Sequence, residues 1–176
     1  MVQVRIVLSL FKFGDGWTDC GGTTAGSCQW RIAAIDNFHA KAIVLLIGTN
    51  NIQNTPDHIA GMIEKIIQAL RDRQPSTQIF VIELFPKGPG PSVYREKNKA
   101  VNELLRERLK EETNIRVINL DPGFVDGNGQ ISRTDLPDYL HFSHIAYEKA
   151  FSPLFVLLDE AVRNQARNDS IHCHTI

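Results

Sequence analysis

No apolar run in this 176-residue sequence approaches the ~20 residues that a membrane-spanning helix requires, so no span is expected. Charge of one sign is also missing. Nineteen Lys and Arg stand against 20 Asp and Glu, a formal net charge of −1. A broad nucleic-acid footprint needs a basic excess, so no nucleic-acid partner is predicted. Cysteine is scarce: Cys20, Cys28 and Cys173 are odd in number and irregularly spaced. They make no disulfide framework, and no Cys-x-x-Cys pair offers a zinc site. A reducing, cytoplasmic compartment is the default expectation. Neither a Gly-x-Gly-x-x-Gly nor a Walker pattern occurs, which argues against a nucleotide cofactor, although Thr18, Thr23 and Thr24 among glycines could cradle a phosphate. The opening residues MVQVRIVLSLFKFGDGW alternate in strand fashion and lack a small-residue cleavage site, so no secretory leader is predicted. Residues 163–170 hold few apolar side chains. Residues 163–176 therefore read as a disordered polar tail, including His172-Cys173-His174, a run that could otherwise bind a soft metal.

What is present is the composition of one globular domain over residues 1–162, with 43% hydrophobic and 22% charged residues in the whole chain. Residues 2–13 are rich in Val, Ile, Leu and Phe and read as a buried strand. Residues 14–26 carry five glycines and cannot form a helix interior. Trp30, Ala33, Ala34 and Phe38 have helical spacing, which predicts a short helix over 29–38. Residues 42–47 form a continuous apolar run ended by Gly48. Thr55-Pro56-Asp57 is a helix start, with a cap, a proline at the first helical position and an acid in the first turn. Ile59, Met62, Ile63, Ile66, Ile67 and Leu70 then follow the stripe of an amphipathic helix, broken at Gln74-Pro75-Ser76. Strands are predicted over 79–84 and 115–120. Helices are predicted over 94–111 and from Ser143 through Leu158 or beyond, with a kink at Pro153. Strands alternating with crossover-length helices predict a parallel sheet with helices on both faces, a three-layer α/β/α architecture. In such sheets the site lies at the carboxyl ends of the strands.

Three features fall there. Gly48-Thr49-Asn50-Asn51 ends a strand and can turn an amide into the crevice. Asp138 and His141 are three residues apart, a spacing that one helical turn brings onto one face, where a carboxylate can hold an imidazole tautomer. The glycine-rich stretch can present backbone N–H groups to an oxyanion.

Their order, glycine block, Gly-x-Asn and Asp-x-x-His, resembles the SGNH (GDSL-like) hydrolases. The detail is similar to the catalytic subunits of intracellular, brain-type platelet-activating-factor acetylhydrolases. The resemblance is carried by residues 43–51, Arg73-Gln74-Pro75, Leu84-Phe85-Pro86-Lys87-Gly88 and Arg95-Glu96-Lys97-Asn98 with Val101-Asn102. It continues in Gly123-Phe124-Val125, Gly129-Gln130-Ile131-Ser132 and Asp138-Tyr139-Leu140-His141. It implies a flavodoxin-like parallel sheet and hydrolysis of a small ester or phospholipid with a short acyl group, with no metal or cofactor. It further implies His141 as general base, Asp138 as its orienting carboxylate, and Asn50 and Gly22 as oxyanion-hole donors. A homo- or heterodimer with a related subunit and a WD-repeat regulatory partner are implied as well.

One element departs from the family pattern. The family's serine stands in Gly-Asp-Ser at the end of the first strand, and the nearest match here is Gly14-Asp15-Gly16, so Gly16 brings no hydroxyl. Ser9, Thr18, Cys20, Thr23, Thr24 and Ser27 are the nearby alternatives, and the nucleophile is unassigned. Gly16 and Gly22 are also too close to hold the helix and strand that separate these blocks in the family. One N-terminal strand–helix unit is therefore expected to be missing. Loss of the central first strand would leave ladder groups unpaired. Residues 2–13 are therefore expected in the first-strand position, an assignment that an edge placement of Ile6 and Leu8 would contradict. The competing function is a non-catalytic homologue that keeps only the partner surface.

Overall fold

The computed structural model describes residues 7–9, 40–49, 51 and 53–172. Its elements are β1 (Val7–Ser9), β2 (Ala42–Leu45), α1 (Pro56–Arg73), β3 (Gln78–Ile82), α2 (Val93–Leu109), β4 (Ile115–Ile118) and α3 (His144–His172). The helix predicted over 29–38 and the glycine-rich stretch lie outside the described residues.

Each helix starts where its sequence provides a cap. Thr55 is extended, and its hydroxyl accepts the His58 N–H at 3.2 Å ahead of Pro56. Ser92 accepts the Arg95 N–H at 3.3 Å, and Ser143 the Ala146 N–H at 3.2 Å. The predicted stripe of α1, from Ile59 to Leu70, is buried. The helix stops at Gln74, whose buried Oε1 accepts the Ala40 N–H at 2.8 Å and so ties its end to the entry of β2.

The sheet is parallel throughout, in the order β1-β2-β3-β4. Strands that step in one direction through right-handed crossovers put their helices on one face. Accordingly α1 and α2 cover the face of Ile43, Leu45, Ile79 and Val81. The opposite face, formed by Ala42, Val44, Phe80 and Ile82, packs against Ala146, Ala150, Phe151, Leu154 and Leu158 of α3. Burial on both faces explains why residues 42–47 read as an unbroken apolar run. The three-layer α/β/α expectation is met.

β1 answers the question of strand placement in two parts. It pairs directly with β2, Val7 opposite Ile43 and Ser9 opposite Leu45, so no slot opens beside β2. Yet Leu8 lies at the edge of the described sheet, against the expectation of an interior strand. Among the described residues no strand pairs with the far side of β1, so the strand beside β2 is the edge. Ile6 lies outside the described residues.

α3 includes Pro153 and continues to His172, into the stretch that composition assigns to a disordered tail. Arg163, Gln165, Ala166 and Arg167 are good helix formers, and an Asp159–Arg163 pair at 2.7 Å supports the preceding turn. Cys173 and His174 lie outside the described residues. Among the described residues no helix is long and apolar enough to cross a membrane.

Candidate active site

Because all strands are parallel, the segments following β2, β3 and β4 lie together at the carboxyl ends of the strands. The segment after β4 carries Asp138 and His141. Leu136 is fully buried and anchors one end of the turn. Phe142 anchors the other, edge-on to Phe85 at 4.8 Å and stacked on Phe124 at 5.4 Å. Between these anchors Asp138 Oδ1 accepts the His141 N–H at 2.7 Å and the Leu140 N–H at 3.0 Å, while Oδ2 lies 2.6 Å from His141 Nδ1.

The Asp-x-x-His spacing works here through a side-chain-capped turn rather than the expected helical one. Tyr139 has a φ of 61°, in the left-handed region, and α3 begins only at His144. The His141 backbone N–H first, then its ring nitrogen and the Leu140 N–H, hold the Asp138 carboxyl well below the usual carboxylate range. An ionised Asp138 on Nδ1 favours the tautomer that leaves the Nε2 lone pair for proton transfer. Both side chains are mostly exposed, His141 at 72%, so the base faces solvent at the carboxyl ends of the strands.

Gly48 turns the chain after β2 with a φ of 113°. A Cβ there would stand 3.0 Å from Ile59 Cγ2, so only glycine lets the turn approach α1. Asn51 closes the turn by donating its N–H to Gly48 O at 3.1 Å, and its buried side chain donates to Asn54 Oδ1 at 3.2 Å. Asn51 is thereby an internal strut. Asn50, Gly22 and Gly16, together with Thr18, Cys20, Thr23, Thr24 and Ser27, lie outside the described residues. Ser9 closes the described part of β1, in register with Leu45.

Sequence reasoning assigned no role to the residues that hold the segment after β3. Asn102 accepts the Leu84 N–H at 2.8 Å and donates to Leu84 O at 3.0 Å. Asn98 donates to Phe85 O at 2.8 Å. Arg95 spans Gly129 O at 2.6 Å and Gly88 O at 2.8 Å. These α2 side chains replace the ladder that ends at Glu83, whose N–H still donates to Ile118 O at 2.9 Å. The signal available was polar residues interrupting an otherwise apolar helix face. An open pocket of about 430 Å³ lies beside the start of α3, lined by Phe142, Ser143, His144, Tyr147 and Glu148, but not by Asp138 or His141. Among the described residues no three of His, Cys, Asp and Glu gather where they could hold a metal ion.

Residues 12–149 match the model of the GDSL-like Lipase/Acylhydrolase family. Platelet-activating factor acetylhydrolase IB subunit alpha2 of Homo sapiens is 39% identical over 140 residues, which is 78% of this chain and 61% of the relative. Subunit alpha1 of Bos taurus is 36% identical over 78% of this chain and 60% of its own length. The chain thus spans about three fifths of the curated relatives it matches. A carbohydrate esterase family 3 structure from Talaromyces cellulolyticus shares the fold with a TM-score of 0.61 at 16% identity, over 78% of this chain and 66% of that one.

Proposed function

Because this chain belongs to the GDSL-like lipase/acylhydrolase family, we propose that it is a carboxylic-ester hydrolase acting by acyl transfer through a His141-activated hydroxyl. The observation that carries the proposal is the 2.6 Å contact between Asp138 Oδ2 and His141 Nδ1. It orients a solvent-facing base at the carboxyl ends of the strands, where such folds bind substrate. In this reading His141 Nε2 takes the proton of the attacking hydroxyl. The Asn50 amide and the Gly22 N–H stabilise the oxyanion. His141 then protonates the leaving alcohol, and water releases the acyl group. No metal or cofactor enters the scheme. The substrate class we favour is a short-acyl ester such as the acetyl ester of a platelet-activating-factor-like phospholipid, by likeness to the relatives named as acetylhydrolase subunits. The word subunit in those names fits a protein that pairs with a second copy or a related subunit, and on the family resemblance alone the proposal extends to a cytoplasmic location and docking on a WD-repeat regulatory protein. Hydrolysis of a short-chain aryl ester tests the proposal. General-base loss predicts a fall of ~10²–10⁴-fold on His141→Ala. Equal rates in the two proteins would sink it.

A second reading rests on Gly16, which stands where the nearest Gly-Asp-Ser match requires serine. With no hydroxyl at hand, binding and oxyanion stabilisation alone leave only ~10³–10⁴-fold over water. The chain would then serve as a non-catalytic subunit. Co-elution with a full-length relative, together with rates indifferent to His141→Ala, would favour this reading.

A further inference from the structure

The segment after β3 touches both halves of the candidate site. Lys87 Nζ reaches across to the segment after β2 and donates to Thr49 O at 2.6 Å. The next residue, Gly88, donates its N–H to Tyr139 O at 2.9 Å, inside the turn that joins Asp138 to His141. Gly88 is itself held by Arg95 Nη2 on its carbonyl at 2.8 Å. One dipeptide therefore links the Thr49 carbonyl to the turn that carries the base. The Lys87 ammonium is half-buried and lies 5.4 Å from the centre of the Tyr94 ring. Burial, and then the nearby Lys97, push its pKa down. A cation kept there against its own desolvation holds a carbonyl that water would otherwise solvate.

We propose that Lys87 is a positioning residue, whose ammonium holds the Thr49 carbonyl while Gly88 holds the His141 turn, and so ties the backbone that precedes the candidate oxyanion donor Asn50 to the base. The proposal rests on the hydrolase reading above. A preorganised donor stabilises the developing oxyanion only when it is already in place. Slack at the Thr49 carbonyl therefore acts on the transition state and leaves ground-state binding nearly untouched.

The test compares the wild type, Lys87→Met and Lys87→Arg on a short-chain aryl ester. Lys87→Met keeps the stem and removes the donor. Since a 1 Å misplacement can cost 10²-fold, kcat should fall ~10–100-fold with KM nearly unchanged. Lys87→Arg, which restores a cationic donor, should recover most of that loss. Wild-type kcat in Lys87→Met, an equal loss in both variants, or a loss confined to KM would each overturn the proposal. The Thr49 carbonyl ¹³C and Asn50 amide ¹⁵N shifts, measured on the same three proteins, read the brace without turnover. If the wild type is inactive yet both signals move in Lys87→Met and return in Lys87→Arg, the hydrolase reading fails and the brace stands. If neither signal moves, the brace is overturned whatever the activity.

Discussion

Replacing Asn102 by leucine removes the two hydrogen bonds that hold the end of β3. Asn102 is 8% exposed and Leu84 is 4% exposed, and the two bonds, at 2.8 and 3.0 Å, satisfy both backbone groups of Leu84. Leucine keeps the branched shape but is larger than asparagine, so no cavity opens and any crowding adds to the loss. What remains is one buried N–H and one buried carbonyl without partners, each costing ~1–3 kcal/mol. Asn102 lies near the rim of the core, where water recovers part of this, so the expected loss is about 2–4 kcal/mol. For a chain of this size that lowers Tm by roughly 4–16 °C. Urea titration should show a lower midpoint at unchanged slope. Asn98→Leu, which gives up one bond to Phe85 O, should cost about half as much. Leu105→Ala, a fully buried truncation with a cavity cost of ~2–5 kcal/mol, calibrates the scale. A loss below ~0.5 kcal/mol for Asn102→Leu would refute the idea that α2 asparagines replace the missing ladder.

Two further outcomes follow from local geometry. Gly48→Ala must adopt a φ of 113° and push against Ile59 Cγ2 at 3.0 Å, so it should cost ~1–3 kcal/mol in denaturant unfolding. A neutral Gly48→Ala would contradict the described turn. The Asp138 carboxyl should titrate well below ~3.9 when followed by its ¹³C shift. Its folded pKa is depressed, so whatever stability it adds is present above the ordinary carboxylate value and lost as pH falls through the depressed one. An ordinary midpoint would mean that the Asp138–His141 turn does not persist in solution.

The parts of the fold that were legible in the sequence depend on short-range chemistry. Thr55-Pro56-Asp57 announces α1 because a cap, a preset φ and an N-terminal acid all act within one turn. The stripe from Ile59 to Leu70 and the run after Lys41 announce burial because periodicity follows directly from which faces are covered. Asp138 and His141 were legible as a pair, but not the manner of their meeting. Tyr139 in the left-handed region is a tertiary choice, secured by buried Leu136, by Phe142 and by the Gly88 N–H. The edge position of β1 in the described sheet was not legible either, since strand order is set by pairing between segments far apart in the chain. Lys87, Asn98 and Asn102 were visible only as matches within a family pattern. Their roles depend on backbone groups 13 to 38 residues away along the chain, which no local spacing encodes.

Labelling with a fluorophosphonate probe, followed by peptide mass spectrometry, bears most directly on ester hydrolysis through His141. The proposed chemistry predicts a label on a single hydroxyl residue, abolished in His141→Ala, and that residue would be the nucleophile that Gly16 does not supply. No label on folded protein, beside a labelled full-length relative, would contradict catalysis and leave the chain as a non-catalytic member of its family.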